Sequence, residues 1–413
     1  MERSLTTPRE RSDWRVLGPW YVAEFLGSYA STLFLGGVYD WAQQQPINAG
    51  PSRRLWLSAI WGFAYIFISL LAGKFSERFG PRRSSVSALS MSVLTASLAL
   101  SSIAFPRYWM LILVMFPFNL TASFIWPAIE SGVTRTRAKL NLSSRIMLYN
   151  LSWSSAGFAA FFTHGVLEKW SWYTIFAVPA IAVGIGALVL GIFGVRSKDI
   201  TAQNVPVASA AHETLSKADI ARRGQTFLKM AWIGNGFAYL AIYVLFPVTT
   251  QLALMAGIKD LATAGYVGSI WFMIRVFAFG ALFLWTGWHY RLAWQIGPLV
   301  AMAGSLCAML LFHQLAVFVI GQMVFGISIA VLYSGSLYYA MHVSAGHGGH
   351  AAFHEAVIGI GTMVGPTIGA LVATGDLDAA AMRKIAAGVT AVLLLGAVGM
   401  AVLAVKGGKR VAA

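Results

Sequence analysis

Arg275 has more chemistry to offer than any other side chain of this sequence. It lies near the middle of the apolar run Ala264–Trp285, which contains no acid. A guanidinium at membrane depth needs a partner or a wet cavity, and its planar fork matches a carboxylate. The expectation is capture of the negative end of an organic anion. The plainer alternative is pairing with an acid or carbonyls on another helix. Four acids also stand at the edges of apolar runs: Glu24 and Asp40 in 19–42, Glu130 at the close of 109–131, and Glu355 at the start of 351–373. A carboxylate taken out of water holds a proton more readily, which is what binding and releasing one during a cycle requires. All four are therefore candidates for proton coupling, Glu24 first because it lies deepest on its side. The plainer reading of each is an ordinary interfacial contact. His342, His347, His350 and His354 crowd the approach to Glu355. Their spacing allows a metal, but the stretch is glycine-rich and lacks cysteine. It reads as a solvated, pH-sensitive loop, with no metal and no other cofactor.

These groups need an unusual scaffold. Hydrophobic residues make up 58% of the 413 and charged residues only 11%, against about 25% charged in a typical soluble domain. One globular core cannot hide so much apolar surface, so most of the chain must face lipid or other helices. Cys307 is the single cysteine, which excludes an intrachain disulfide. The polar start, Met1–Trp14, carries Arg3, Arg9 and Arg11 without an apolar run and reads as a cytoplasmic tail, not a signal peptide. A net charge of +15 would suggest nucleic acid in a soluble protein. Here the basic residues sit in loops, where they set topology and meet anionic headgroups, so no nucleic-acid partner is expected.

Twelve apolar segments can be read, at 19–42, 55–73, 84–104, 109–131, 146–166, 173–194, 227–250, 264–285, 294–312, 315–341, 351–373 and 385–405. Spans of this length suit a bilayer core about 30 Å thick. The long polar interval Arg196–Gly224 divides them six and six, giving an N-terminal bundle (1–195), a cytoplasmic linker (196–225) and a C-terminal bundle (226–413). With the N-terminus inside, 22 of the 30 Lys and Arg fall on the cytoplasmic side and 7 on the other, with Arg275 remaining. That bias places both termini in the cytoplasm of a multi-pass cell-membrane protein. The halves also echo each other: Gly157, Phe161 and Gly165 recur 204 residues later as Gly361, Gly365 and Gly369. Small residues four apart let a neighbouring helix approach closely.

Between the second and third segments runs Gly73-Lys-Phe-Ser-Glu77-Arg78-Phe-Gly80-Pro-Arg82-Arg83. The spacing Gly-x-x-x-acid-Arg-x-Gly-x-Arg resembles the loop between helices 2 and 3 of major facilitator superfamily transporters. Glu77 stands where that motif usually has aspartate, and Pro81 where it usually has arginine, a change expected to loosen the loop. A degraded echo, Thr286-Gly-Trp-His-Tyr290-Arg291, keeps the arginine and loses the acid. The resemblance implies an all-α fold of twelve transmembrane helices in two six-helix bundles, with substrate near the midplane. It also implies that segments 1, 4, 7 and 10 line the cavity, that 2, 5, 8 and 11 meet at the seam, and that 3, 6, 9 and 12 face lipid. Glu77 would sit against the positive end of segment 11, and Arg78 and Arg82 would hold neighbouring helix ends while the cytoplasmic side is closed. Gly73, Glu77, Arg78, Gly80, Arg82 and Arg83 then form a gate remote from substrate.

On that arrangement the cavity helices present Tyr29, Asn119, Trp126, Asn150, Trp153, Asn235, Tyr239, Tyr243, Tyr333, Tyr338 and Tyr339, with Tyr65 from segment 2. Tyr239, Tyr243 and Tyr333 are the first choices for substrate contact, since a hydroxyl and a ring suit a partly wet pocket. Asn119, Trp126 and Tyr65 follow. Pro117, Pro127 and Pro247 are placed to bend cavity helices. The resulting expectation is a monomeric secondary carrier of a small organic solute, coupled to protons or another ion. The competing readings are an exporter of amphiphiles or a lipid flippase of the same fold, and a transporter-like sensor. No acid/His/Ser constellation with catalytic spacing points to an enzyme.

Overall fold

The computed structural model describes residues 13–136, 138–195, 217–285, 287–344, 349–372 and 379–412. Helices α1 (Asp13–Gln43), α2 (Pro51–Phe79), α3 (Pro81–Ser97) and α4 (Ser101–Ala104) open the chain. Helices α5 (Tyr108–Ala122), α6 (Ile125–Arg135), α7 (Leu142–Trp170) and α8 (Trp172–Phe193) complete the first half. The second half comprises α9 (Lys217–Leu245), α10 (Thr249–Met255), α11 (Leu261–Gly268), α12 (Ile270–Leu284), α13 (Ala293–Leu311), α14 (Leu315–Ser344), α15 (Gly349–Val372) and α16 (Ala379–Ala412). Taken end to end, α3–α4, α5–α6, α9–α10 and α11–α12 each form one rod, so twelve rods stand where the twelve apolar segments were read.

Local chemistry explains the ends. Pro51 and Pro81 start α2 and α3, where a missing N–H costs nothing. Asn141, Ser171 and Asp260 cap α7, α8 and α11 by accepting the amides of Ser144, Tyr173 and Thr263, as such residues do at helix starts. Hydrogen bonds from the Thr263 hydroxyl and amide hold the Asp260 carboxyl below the ordinary carboxylate range. Pro247 lies in the short turn Phe246–Val248 that separates α9 from α10, so this proline does break its rod.

The basic motif is not a loose loop. Helix α2 continues to Phe79, and only Gly80, at φ 82°, separates it from α3. That conformation suits glycine, and Pro81 fixes the new helix in place instead of loosening the turn. Tyr290, in the echo of the motif, also has positive φ, at 52°.

Among the described residues, ten helical rods have the length and apolarity to cross a membrane. The two long helices that fall short are α1 and α7, which place serines, Thr32, Tyr149 and Trp153 on the cavity. Helices α8 and α16 expose Ile181, Leu188, Ile192, Leu395 and Val398, the surface that lipid would cover. At the seam, α2 packs on α15 and α7 on α11 and α12. The approach is close enough to need glycine: a β-carbon on Gly62 would lie 2.3 Å from the Met363 nitrogen, and one on Gly165 2.3 Å from the Ala262 Cα. The glycine echo holds in spacing and only partly in partner. Gly157 and Gly165 face the second half and Gly369 faces Leu55 of the first, whereas Gly361 and Gly365 face α9 of their own half.

Candidate functional site

A chamber opens at the seam, between α1, α2, α6 and α7 on one side and α9, α12, α14 and α15 on the other. It offers about 130 Å³ to the centre of a water molecule, far more than the roughly 10–15 Å³ that one water needs. Arg275, Tyr239, Tyr243, Tyr333, Trp126, Tyr65 and Glu355 all line it. Residues read separately along the sequence therefore meet at one site.

Arg275 is 2% exposed. The faces of its guanidinium are covered by rings, with centroids at 4.2 Å for Trp153, 4.7 Å for Phe272 and 5.2 Å for Trp271. Such cation–π contacts favour the charge without neutralising it. Nε donates to Ser154 Oγ at 3.0 Å across the seam. Among the described residues, no carboxylate pairs with Arg275 and its two terminal nitrogens have no protein acceptor. The faces are closed and the forked edge is open. Gly157 leaves the room for this, since a β-carbon there would lie 2.6 Å from the Phe272 ring and 3.3 Å from Arg275 Nη2.

Glu355 holds the opposite charge. It is 3% exposed and accepts a hydrogen bond from the Tyr65 hydroxyl, again across the seam. Tyr239 and Tyr243 lie within electrostatic reach of both Arg275 and Glu355. Their rings are within 25° of parallel with centroids 6.4 Å apart, as residues four apart on a helix allow. Tyr333 packs on Trp153 with centroids 4.8 Å apart. The chamber thus has a cation and an anion on different walls and hydroxyl-bearing rings between them.

The remaining site expectations fall elsewhere. Asn119 does not line the chamber: its amide donates to the Trp61 carbonyl at 2.6 Å and its oxygen accepts from Ser123, tying α5 to α2. Glu24 is fully buried behind Ser28, which donates to it at 2.8 Å and accepts from Trp126 Nε1 at 3.0 Å. The other oxygen of Glu24 has no hydrogen-bond partner among the described residues. The Glu130 carboxylate lies near Glu24 and Glu355 and makes no hydrogen bond among the described residues. Asp40 lies at the opposite end of α1, 3.2 Å from His164 Nε2 and accepting from Gln43. His354 lies inside α15, buried, with Nδ1 2.8 Å from Ser336 Oγ, so it does not belong to a solvated loop. The side chains of His342, His347 and His350 lie outside the described residues.

In the motif, Glu77, Arg78 and Arg83 are exposed. Among the described residues Glu77 touches no helix end, and Arg78 meets only its neighbour Phe79. Arg82 does hold a helix end, donating to the carbonyls of Leu190 and Gly191 of α8. That helix belongs to its own half, so the expected latch on segment 11 is not made here. The seam is tied at the other end. Arg54, 2% exposed, donates to the Pro247 carbonyl at 3.0 Å and to Gln251, and Ser52 donates to Ala370 at 2.9 Å.

Several of these residues were not singled out from sequence. Trp271 and Phe272 precede Arg275 by four and three positions, a spacing that puts them on its helix face and was legible. Ser154, Arg54 and His164 act through contacts distant in sequence and gave no local signal.

Two bundles of apolar helices around a polar chamber on the seam are the architecture of a membrane carrier. The family profile of the Major Facilitator Superfamily matches residues 21–353, and the chain belongs to that superfamily. Its fold is similar to the crystal structure of nucleoside transporter NupG, with TM-score 0.67 and 12% identity over 94% of this chain and 98% of that one. It is also similar to a structure concerned with substrate recognition in proton dependent oligopeptide transporters, with TM-score 0.71 and 12% identity over 96% and 99% of the two chains. A bacterial homologue of the human drug peptide transporters PepT1 and PepT2 gives TM-score 0.71 and 11% identity over 98% and 100%. At such identities the likeness concerns the fold. No curated protein sequence matches. The protein is a secondary transporter of twelve transmembrane helices.

Proposed function

We propose that this carrier moves a small organic anion together with a proton, by alternating access around the seam chamber. The observation that carries the reading is Arg275, a buried guanidinium with covered faces and an open edge directed at a solute-sized space. An arriving carboxylate would accept two parallel charge-assisted hydrogen bonds from that edge. Glu355 is the coupling acid in this scheme, because of the four buried carboxylates it alone lines the chamber. A proton there cancels the charge the anion brings, and it weakens the Tyr65 tie across the seam. The halves, 1–195 and 226–413, move as two bundles joined by the linker, in a monomer. The basic end of the bundle faces the cytoplasm with both termini, following the bias of Lys and Arg. The amphiphile exporter falls behind because Arg275 faces the chamber and is not locked in an ion pair.

Uptake into proteoliposomes of matched monocarboxylates, amides and amines, with and without an inside-alkaline pH gradient, tests this. Carboxylate uptake driven by the gradient is expected. It should be lost in Arg275→Ala and weakened by about 1–3 kcal/mol of binding in Arg275→Lys, which keeps the charge but not the fork. Equal transport by Arg275→Ala and wild type would overturn it. Labelling of a cysteine at position 216 from outside intact cells, after replacement of Cys307, would overturn the orientation.

A further inference from the structure

We infer that the solute is a flat aromatic monocarboxylate, recognised by its ring as much as by its charge. This deepens the organic-anion reading and rests on it. Of the 21 residues lining the chamber, eleven are aromatic and three (Leu35, Ile242 and Ile358) are aliphatic. An aliphatic solute gains only area burial from such walls. A planar ring gains offset or edge contacts in addition. Tyr239 and Tyr243, within 25° of parallel on successive turns of α9, and Trp153 with Tyr333, tilted by 56° to each other, offer a planar solute both ring faces and ring edges. Both pairs lie next to the Arg275 guanidinium, Trp153 through its ring face at 4.2 Å and the tyrosines within electrostatic reach. A carboxylate on the open edge of Arg275 therefore places the rest of the molecule against rings.

The second charge of the chamber sets the limit on the first. Glu355 faces the same space from α15 and has no cation of its own among the described residues. Before a proton reaches Glu355, a dicarboxylate that satisfies Arg275 at one end brings its other end toward that charged carboxylate, and like charges in a desolvated space repel strongly. Glu355 thus acts as a specificity residue against dianions, and its replacement by glutamine should admit them.

The test uses purified full-length protein in detergent, with thermal stability and equilibrium binding as readouts. The probes are benzoate, cyclohexanecarboxylate (similar size, not flat), benzamide (flat, uncharged), terephthalate (flat, two charges) and phenylalanine (aromatic, zwitterionic). Benzoate should bind about three- to tenfold more tightly than cyclohexanecarboxylate, and Tyr243→Leu should remove that preference. Terephthalate should bind Glu355→Gln and not the wild type, while benzamide binds neither. Equal affinity for the flat and the puckered acid, with both lost in Arg275→Ala, would overturn the aromatic inference and leave the organic-anion reading intact. Preference for phenylalanine over benzoate would overturn it in favour of a solute that offers Glu355 a cation. Binding of no carboxylate at all would remove both readings. Should Arg275→Ala fail to fold, Arg275→Lys and Tyr243→Leu make the same distinctions.

Discussion

The two ends of α2 show how differently one helix can use polar residues. At its start, Ser52, Arg54 and Ser58 each donate to the second half, to the carbonyl of Ala370, to Pro247 and Gln251, and to the carbonyl of Tyr243. At its end, Lys74, Glu77 and Arg78 are exposed, and Arg82 just beyond turns back onto α8 of its own half. The charge density is higher at the second end, yet the seam is tied at the first. What differs is the supply of acceptors. Pro247 has no N–H for the carbonyl of Tyr243, four residues earlier, and Ser58 reaches that carbonyl, while Arg54 takes the carbonyl of Pro247 itself. The chamber is therefore sealed on the side away from the basic motif, and the motif residues stand free of the seam.

The largest test of this contrast is Arg54→Ala. Two hydrogen bonds from a buried cation are lost, each on the order of 1.5–3 kcal/mol. A cysteine at Thr250, in a background lacking Cys307, should react with an impermeant maleimide at least about tenfold faster, by the same arithmetic. An unchanged rate would break the comparison. Next comes the helix crossing itself. Gly62→Ala and Gly165→Ala insert a carbon where none fits, at a cost of about 1–3 kcal/mol, and should lower the melting temperature. Gly184→Ala, where the nearest neighbour would be 3.5 Å away, should be neutral or stabilising by about 0.5–1 kcal/mol. Arg82→Gln should cost about 1–2 kcal/mol through its lost carbonyl contacts while leaving Thr250 accessibility unchanged. The smallest stability effect belongs to Glu77→Gln and Arg78→Ala, within about 0.5 kcal/mol as for exposed residues without partners. If these two act as a gate when the basic end closes, transport slows while benzoate affinity stays at the wild-type level. A loss of affinity with unchanged turnover would contradict that role.

The number of rods and their order were legible, because a bilayer leaves the chain few ways to satisfy its backbone, whereas the seam pairing came from what the resemblance of the basic motif implies. Arg275 was legible for the same reason, as a charge that apolar surroundings cannot ignore. The rings of Trp271 and Phe272 followed from helical spacing. The placement of Asn119 off the chamber lining was not legible, because a polar side chain on a cavity helix can face either way, and its partner, the Trp61 carbonyl, is 58 residues away. Arg145 was overlooked altogether. It donates to the carbonyls of Leu140, Thr136 and Ala138, knotting the turn between α6 and α7. Sequence counted it only as one more basic residue, since carbonyl acceptors have no letter of their own.

The modest apolarity of α7 has a consequence for how the protein is made. Ser154 of α7 steadies Arg275, and Asn150 accepts from the Trp153 indole, in the finished chamber, but a helix leaving the ribosome has no chamber yet. Lipid alone holds such a segment weakly, whereas α8, at a mean hydropathy of 2.5, inserts on its own strength. Only Ser171 separates the two. Synthesis therefore delivers them as a hairpin in which the second member secures the first, so the polarity that suits α7 to transport makes its place in the membrane depend on the helix that follows it.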